Sequence, residues 1–351
     1  MRTFRFIFLL GLLFSLSTSA CAILTQESTQ PASSQFAAAP LATTTFAPAL
    51  AAASTRTPPP PPTASRTPTP LPSPTPRCGA NAPVNPTGTL SLATARSGRI
   101  DTKFHSDLLG RDMPILIFLP PGYYDSQRCY PVLYMLHGYG GPYTEWEKWG
   151  IWKSAEPMMR SGQIQPFIIV LPEGERSWWF NHWPVVTKNN DGKPWGDYVW
   201  KDVVGYVDSN YRTLARRESR AVGGLSTGGQ GGIMLGMTHS DVFAIVGAHS
   251  PSFREADGSL EFFGTQDYFN QYDPIWLLKN KTENAKKFTL WMDVGQDDDV
   301  WGQEVVRYKK LLESLQVPFD WHTWPGLHEG SYWTPHLPDY LTWYSAVLAG
   351  Q

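Results

Sequence analysis

Short apolar runs alternate with amphipathic stretches along most of the sequence. Six runs are rich in branched or aromatic side chains and end in Gly, Pro or Ser. They occupy residues 112–120, 131–138, 166–172, 219–226, 243–250 and 288–295. Because strands buried on both faces have nearly continuous apolar sequence, these runs predict a mainly parallel sheet.

Two stretches between the runs have helical periodicity. Residues 300–316 place Val305, Tyr308 and Leu312 at offsets of three and four, and residues 196–211 have a similar stripe. Such a stripe packs against a sheet. The alternation of strand and helix predicts an α/β fold with helices on both faces of a mainly parallel central sheet.

The N-terminal part has a different composition. Residues 1–21 have two arginines, an apolar core and small residues before Cys21, which predicts an export signal. Residues 22–77 are rich in Pro, Ser, Thr and Ala, contain one acidic residue and have no hydrophobic period, which predicts a disordered linker. The folded domain is therefore expected at residues 78–351.

Export leaves two interpretations of the signal boundary. The sequence STSAC is similar to a bacterial lipobox, in which Cys21 is lipidated, although Thr18 stands where that motif usually has Leu. Simple cleavage after Ala20 or Ala22 is the alternative. We expect an exported bacterial protein, either extracellular or a cell-surface lipoprotein, with membrane contact only through an N-terminal lipid anchor.

Charge narrows the range of partners. Residues 101–351 carry 30 acidic and 22 basic side chains, with no cluster of Lys or Arg. An acidic surface repels phosphate backbones, so we expect no nucleic-acid partner.

Cys78 and Cys129 form an even pair in a chain predicted to reach an oxidising compartment. A disulfide is one interpretation. Two buried free thiols are the other.

A glycine-rich segment, GGLSTGGQGG, surrounds Ser226 between a predicted strand and a predicted helix. Gly224, Ser226 and Gly228 give the pattern G-x-S-x-G of a nucleophile elbow, the sharp strand-to-helix turn that exposes a catalytic serine. We expect Gly229, Gly231 and Gly232 to let the helix lie close to the sheet. A glycine-rich turn without chemistry and a phosphate-binding loop are the alternatives, although neither common phosphate-loop pattern occurs cleanly.

An elbow serine needs a base and an acid that orients it, in the chain order Ser, Asp or Glu, His. His328 lies in a Gly-flanked loop after the last predicted strand, 318–324, and is the predicted base. His322 lies within that strand, and His336 is expected to begin the final helix, so both are expected to be structural. The acid is expected in the segment DVGQDDDVW. No spacing of His and Cys suggests a metal, and no cofactor is expected.

Four segments together resemble an esterase family that includes esterase D (S-formylglutathione hydrolase), bacterial feruloyl esterases and the antigen 85 mycolyltransferases. They are PVLYMLHGYGG, GGLSTGGQGG, DVGQDDDVW and PGLHEGSYW, and the resemblance covers roughly residues 97–349. It implies an α/β-hydrolase fold and a Ser-His-Asp triad that hydrolyses carboxylic esters through an acyl-enzyme.

The resemblance also implies roles for individual residues. Asp298, three residues after Gly295, would be the triad acid, with Asp297 and Asp299 as flanking alternatives and Asp293 as a weaker one. The backbone amides of Tyr139 and Thr227 would form the oxyanion hole. His137 would brace the loop that carries Tyr139.

Tryptophan is abundant, and three tryptophans follow the predicted strand 166–172: Trp178, Trp179 and Trp183. Ligands of α/β enzymes bind at the carboxyl ends of strands, so these rings are candidates for substrate binding by stacking on a sugar or a phenolic acyl group. A purely structural lid is the alternative.

The predicted partner is a small-molecule or polysaccharide ester. A secreted carboxylesterase is the first hypothesis, and a feruloyl or acetyl group on a polysaccharide is its favoured substrate. An antigen 85-like acyltransferase with the same triad is the second hypothesis. An inactive carbohydrate-binding module is the third, and the complete set of triad residues argues against it.

Overall fold

The computed structural model describes Cys78 and residues 91–350. The predicted signal at 1–21, the linker at 22–77 and the lipidation site Cys21 lie outside the described residues.

Eight strands form one sheet, in the spatial order β1-β2-β4-β3-β5-β6-β7-β8. Their bounds are β1 Gly98–Ser106, β2 Arg111–Leu119, β3 Val132–Leu136, β4 Ile168–Pro172, β5 Arg220–Leu225, β6 Ile245–His249, β7 Thr289–Gly295 and β8 Asp320–Trp324. The pairs β1-β2 and β2-β4 are antiparallel and the other five pairs are parallel. The predicted mainly parallel sheet is confirmed, and all six apolar runs contain strands.

The first strand was not predicted. In β1 most of the residues that alternate with the exposed ones are only half-buried, and its sequence GRIDTKFHS has no apolar run. An edge strand that pairs on one side and faces solvent needs less apolar sequence than a central strand. The pattern that finds fully buried strands therefore misses it.

Helices connect the strands and cover both faces of the sheet. The described α-helices are α1 Glu145–Trp149, α2 Ile151–Ser161, α3 Trp195–Asp197, α4 Val204–Asn210, α5 Thr227–Thr238, α6 Gln266–Phe269, α7 Pro274–Asn280, α8 Thr282–Ala285, α9 Gly302–Ser314 and α10 Gly330–Ala349. Adjacent residues of β2 belong to two different apolar clusters: Ile115 and Ile117 to one, Leu116 and Phe118 to the other. The prediction of helices on both faces is confirmed.

Two helix boundaries differ from the prediction. The helix expected at 196–211 contains a π-helical segment, Tyr198–Val203, between α3 and α4. The final helix begins at Gly330, six residues before His336, and runs through Pro335 and Pro338. Among residues 91–350 we find no helix with both the length and the apolar character needed to span a bilayer.

Candidate active site

Ser226 lies in the turn between β5 and α5, at the carboxyl end of the sheet. Its backbone has φ 53° and ψ −119°, a conformation that a non-glycine residue rarely adopts. A Cβ atom on Gly228 would lie 2.4 Å from the carbonyl oxygen of Leu136, and one on Gly224 would lie 2.6 Å from the same oxygen. The two glycines of the G-x-S-x-G pattern therefore allow the turn to lie against the end of β3.

The glycines that follow have different surroundings. A Cβ atom on Gly231 would lie 2.5 Å from Cβ of Trp179, and one on Gly229 would lie 3.0 Å from the oxygen of Gly224. The nearest atom to a Cβ on Gly232 is 3.6 Å away, which is ordinary contact. Gly232 therefore faces β5 and β6 at a distance that does not require glycine, and the expected approach to the sheet was wrong for Gly231, which faces Trp179.

Backbone hydrogen bonds hold Ser226 against the end of β6. Its amide donates to the oxygen of His249 at 3.0 Å, and its own carbonyl accepts from the amide of Ser252 at 3.0 Å. These bonds stabilise the strained turn on the side facing β6.

His328 and Asp298 are in direct contact. His328 Nδ1 lies 2.8 Å from Asp298 Oδ2, and the Asp298 carboxylate is fully buried. The other carboxylate oxygen accepts from the amides of Val300 and Trp301 at 3.0 and 2.9 Å. Burial raises the pKa of Asp298, but the hydrogen bonds from His328 and Trp301 outweigh it and hold the pKa below 3.8. The structure thus places an ionised acid against the imidazole.

The flanking carboxylates have other environments. Asp297 and Asp299 are exposed. Asp297 accepts a hydrogen bond from the amide of Gly326 at 3.2 Å. Of the three consecutive aspartates, Asp298 is the one paired with His328.

A short chain of contacts links His328 to the serine turn. The ring of His328 packs edge-on against Trp333, with centroids 5.2 Å apart. Trp333 Nε1 donates to Ser250 Oγ at 3.2 Å, and Ser250 follows the residue that holds the Ser226 amide. Within the described part of the chain, no hydrogen bond joins the Ser226 hydroxyl to His328.

The two predicted oxyanion donors lie on either side of the turn. Thr227 is the first residue of α5, where an amide has no acceptor within its own helix. Tyr139 lies in the loop after β3, and its amide has no acceptor among the residues described. A Cβ on Gly138, its neighbour, would lie 3.7 Å from Cβ of Ser226. Two amides without partners thus lie on the segments that flank the serine.

Buried polar groups fix the loop that carries Tyr139. His137 Nδ1 donates to the oxygen of Gly138 at 2.7 Å, and its Nε2 lies 2.9 Å from the amide nitrogen of Gly174. The amide of Gly138 donates to Glu145 at 2.8 Å. This is the bracing position expected for His137.

Glu173 supports the same loop from the end of β4. Its carboxylate lies 3.1 Å from His137 Nε2 and accepts from the amide of Tyr143 at 3.1 Å. Burial raises the pKa of Glu173, but the hydrogen bonds from His137 and from the amides of Glu175 and Tyr143 hold it below 4.5.

The three tryptophans do not form an exposed stacking surface. Trp179 is 1% exposed, and its Nε1 donates to the oxygen of His137 at 3.0 Å. Trp178 is 4% exposed and packs edge-on against Tyr139. Trp183 is half-buried against Tyr268. The structure therefore corrects the expectation for Trp179, whose ring lies in the core behind the loop that carries Tyr139.

A polar cavity of about 430 Å³ opens beside Tyr139, whose side chain is 44% exposed. Its walls include Arg176, Lys188 and Asp191. The Arg176 guanidinium lies over the Tyr139 ring, 5.5 Å from its centroid. Sequence reasoning missed this pocket because its residues come from a polar loop without a motif.

The remaining predicted residues contact other partners. His322 stacks on Trp291 and His336 stacks on Trp324, with centroids 3.7 and 3.9 Å apart. Cys78 and Cys129 form a disulfide with Cα atoms 6.0 Å apart. Among the described residues, no group of three or more His, Cys, Asp or Glu side chains has the arrangement of a metal site.

Comparison with known proteins identifies the family. Residues 106–344 match the model of the family described as "Putative esterase". The chain belongs to this family. Membership supports a carboxylic ester hydrolase.

The relatives of this esterase differ in how much of their length matches. An esterase of Mycobacterium tuberculosis is 28% identical over 148 residues, which are 42% of this chain and 31% of the relative. An acetyl esterase of Caldicellulosiruptor saccharolyticus is 23% identical over 70% of this chain and 97% of its own length. An endo-1,4-beta-xylanase/feruloyl esterase of Xylanibacter ruminicola is 29% identical over 41% of this chain and 20% of its own length.

Solved structures agree with the fold. A ferulic acid esterase has a TM-score of 0.64 at 22% identity, over 72% of this chain and 99% of its own. The S-formylglutathione hydrolase of Staphylococcus aureus has a TM-score of 0.59 at 20% identity, over 72% of this chain and 100% of its own. This esterase therefore has the predicted α/β-hydrolase fold.

Proposed function

We propose that this chain is a serine carboxylesterase with Ser226 as nucleophile, His328 as base and Asp298 as the acid that orients the base. The observation that carries the proposal is the 2.8 Å contact between His328 and a buried, ionised Asp298. Both residues lie in loops at the carboxyl end of the sheet, as does the strained Ser226. Neither neighbouring aspartate has such a contact.

The contacts of His328 support Nε2 as the ring nitrogen that acts on the serine. Because Nδ1 of His328 bonds to Asp298, Nε2 is left to accept the proton of the Ser226 hydroxyl. The serine oxygen then bonds to the ester carbonyl carbon, and the amides of Tyr139 and Thr227 stabilise the negative carbonyl oxygen. The protonated imidazole gives its proton to the leaving alcohol, and water repeats the sequence on the acyl-enzyme.

The hydrogen bond between Ser226 and His328 belongs to the proposal. Catalytic hydrogen bonds are often long without substrate and tighten in the substrate complex. The connection from His328 through Trp333 and Ser250 supports this alignment.

Release of p-nitrophenol from p-nitrophenyl acetate tests the reaction. We expect Ser226→Ala to lower kcat by about a thousandfold or more. Ser314→Ala, at the exposed end of α9, is the matched control and should have wild-type rates. Equal rates for wild type and Ser226→Ala would refute the proposal, and acylation of added glycerol or trehalose would favour the acyltransferase.

For the substrate, we propose an acetyl or feruloyl ester on a polysaccharide. Relatives named acetyl esterase and xylanase/feruloyl esterase support this class. The polar cavity beside Tyr139 has the size and donors to hold a sugar or phenolic group. Comparison of kcat/KM for feruloylated xylan fragments, acetylated xylan and a lipid ester tests it, and the highest value for the lipid would contradict it.

We also propose that the protein is exported. The signal pattern of residues 1–21 supports this, and so does the Cys78–Cys129 disulfide, because disulfides persist mainly in oxidising compartments. Cell fractionation tests export, and incorporation of labelled fatty acid that is lost in Cys21→Ala tests lipidation.

A further inference from the structure

A second histidine and aspartate form a buried pair next to the serine turn. His249 Nδ1 lies 2.7 Å from Asp293 Oδ2, and both side chains are fully inaccessible to solvent. His249 ends β6 and pairs with Asp293 of β7. Because no substrate can reach them, these groups cannot act directly on an ester.

The Asp293 carboxylate accepts four side-chain hydrogen bonds. The donors are His249 Nδ1 at 2.7 Å and Trp291 Nε1 at 2.7 Å on one oxygen, and Tyr332 at 3.1 Å and Tyr340 at 3.0 Å on the other. These donors offset the cost of burying the polar carboxyl group away from water.

The other nitrogen of His249 contacts Tyr344 of α10. Its Nε2 lies 3.2 Å from the Tyr344 hydroxyl. Burial and the charge of Asp293 raise the pKa of Tyr344 well above 10, which keeps this hydroxyl protonated. When the Tyr344 hydroxyl donates to Nε2 and Nδ1 donates to Asp293, every polar atom in this chain of contacts has a partner.

The sheet provides a slot for the Tyr344 hydroxyl. Gly223 of β5 and Gly247 of β6 pair with each other. A Cβ atom on either glycine would lie within 2 Å of the Tyr344 oxygen, at 1.9 Å and 1.8 Å respectively. Any larger residue at these positions would displace the hydroxyl from His249.

This chain of contacts ends at the nucleophile. The carbonyl oxygen of His249 accepts the Ser226 amide at 3.0 Å. Ser250, which follows, has a positive φ of 45°, its amide donates to the backbone oxygen of Asp293 at 2.8 Å, and its hydroxyl accepts from Trp333. The end of β6 thus supports both the serine turn and the tryptophan beside His328.

We propose that His249, held by Tyr344 and Asp293, is a positioning residue for Ser226. This inference rests on the proposed esterase function. The anchored ring fixes the direction of the His249 carbonyl, and that carbonyl fixes the serine turn relative to His328. Loss of the anchor should misalign the nucleophile without changing substrate contacts.

Tyr344→Phe tests this with little change in volume. We expect kcat on p-nitrophenyl acetate to fall about tenfold, because small misalignments of reacting groups are costly. KM should stay unchanged because the variant alters no residue that touches the substrate. The pH profile of kcat/KM should also stay unchanged because the residues that transfer protons in the reaction are still present. Labelling of Ser226 by a fluorophosphonate should slow by a similar factor.

Ser345→Ala is the matched control. Ser345 is the next residue on α10, and its hydroxyl accepts a partly buried hydrogen bond from the amide of Gln165 at 2.8 Å. Both variants lose one side-chain hydrogen bond of α10, but only Tyr344→Phe loses the anchor of His249. We expect both to melt at lower temperature and Ser345→Ala to retain the wild-type kcat.

A double-mutant cycle provides a second measurement. His249→Asn keeps a donor for Asp293 but loses the link to Tyr344, so the double variant with Tyr344→Phe should lose no more kcat than His249→Asn alone. Unchanged kcat in Tyr344→Phe, an equal loss in Ser345→Ala, a shifted pH profile or fully additive losses would each overturn the inference. A wild type without Ser226-dependent activity would instead refute the esterase proposal.

Discussion

His328 Nδ1 lies 2.8 Å from Asp298 Oδ2, although 30 residues separate them along the chain. The contact joins the loop after β7 to the loop after β8. These strands are parallel neighbours, so both loops leave the sheet at the carboxyl ends of the strands. Ser226 follows the carboxyl end of β5, which lies two strands from β7 in the same sheet.

The first prediction concerns the charge of Asp298. Asp298→Asn preserves the shape but offers a neutral amide to His328, which favours the wrong imidazole tautomer. We expect kcat to fall by about a thousandfold or more, with KM changed little. Initial rates on p-nitrophenyl acetate provide the measurement.

Asp299→Asn is the control for this experiment because it changes an adjacent, exposed carboxylate in the same loop. It should keep the wild-type kcat. A larger loss of kcat in Asp299→Asn than in Asp298→Asn would contradict the proposal that Asp298 is the acid of the triad.

The second prediction separates two glycines of one segment. Gly228→Ala would place a Cβ 2.4 Å from a backbone oxygen, so we expect about 1–3 kcal/mol of destabilisation and a loss of activity. Gly232→Ala meets nothing closer than 3.6 Å and should stabilise by about 0.5–1 kcal/mol through the helix preference of Ala. Urea unfolding of both variants measures the difference, and equal midpoints would show that the turn tolerates a side chain.

Much of the sheet and the elbow could be predicted because their physics is local. A central strand of a parallel sheet is apolar throughout, and the strained serine turn requires small neighbours at fixed offsets. Both requirements produce a recognisable pattern in consecutive residues. The edge strand β1 has no such pattern, because only part of one of its faces is buried.

The burial of Trp179 and the network around His249 could not be predicted, for a different reason. The position of Trp179 depends on Gly174 and Gly231, which lie in separate segments and leave room for its ring. Asp293 gathers donors from β6, β7 and α10. Such contacts arise from tertiary packing, so no pattern in a short window reveals them.

The third prediction concerns acid stability near the polar cavity. Burial raises the pKa of Asp191, but hydrogen bonds from His182 and the amide of Lys193 outweigh it and lower the pKa to about 2. Since the folded-state pKa lies below the ordinary value of 3.8, the ionised group stabilises the fold above pH 3.8. That contribution is lost as the pH falls from 3.8 to about 2.

Urea unfolding of wild type and Asp191→Asn at a series of pH values provides the measurement. The stability difference between the two proteins should be largest above pH 3.8 and should disappear near pH 2. A difference that does not vary with pH would show that the charge of Asp191 contributes nothing.

The fourth prediction tests the support of the proposed oxyanion hole. Glu145 accepts the amide of Gly138 at 2.8 Å, directly before Tyr139, and its carboxylate also lies against Gly141. A backbone donor cannot be removed by a side-chain substitution, but its anchor can. We expect Glu145→Ala to lower kcat about tenfold with little change in KM, because a looser loop stabilises the oxyanion less well.

Glu147→Ala separates this effect from a general loss of charge on α1. Glu147 lies two residues further along the same short helix and pairs with Arg99 at the surface. An exposed ion pair contributes little to stability, so this variant should keep the wild-type kcat. Equal losses in both variants would mean that the whole helix, rather than the Glu145 contact, positions the loop. A loss confined to Glu145→Ala, with a slower fluorophosphonate reaction at Ser226, would place the effect at the step in which negative charge develops on the oxygen of the attacked group.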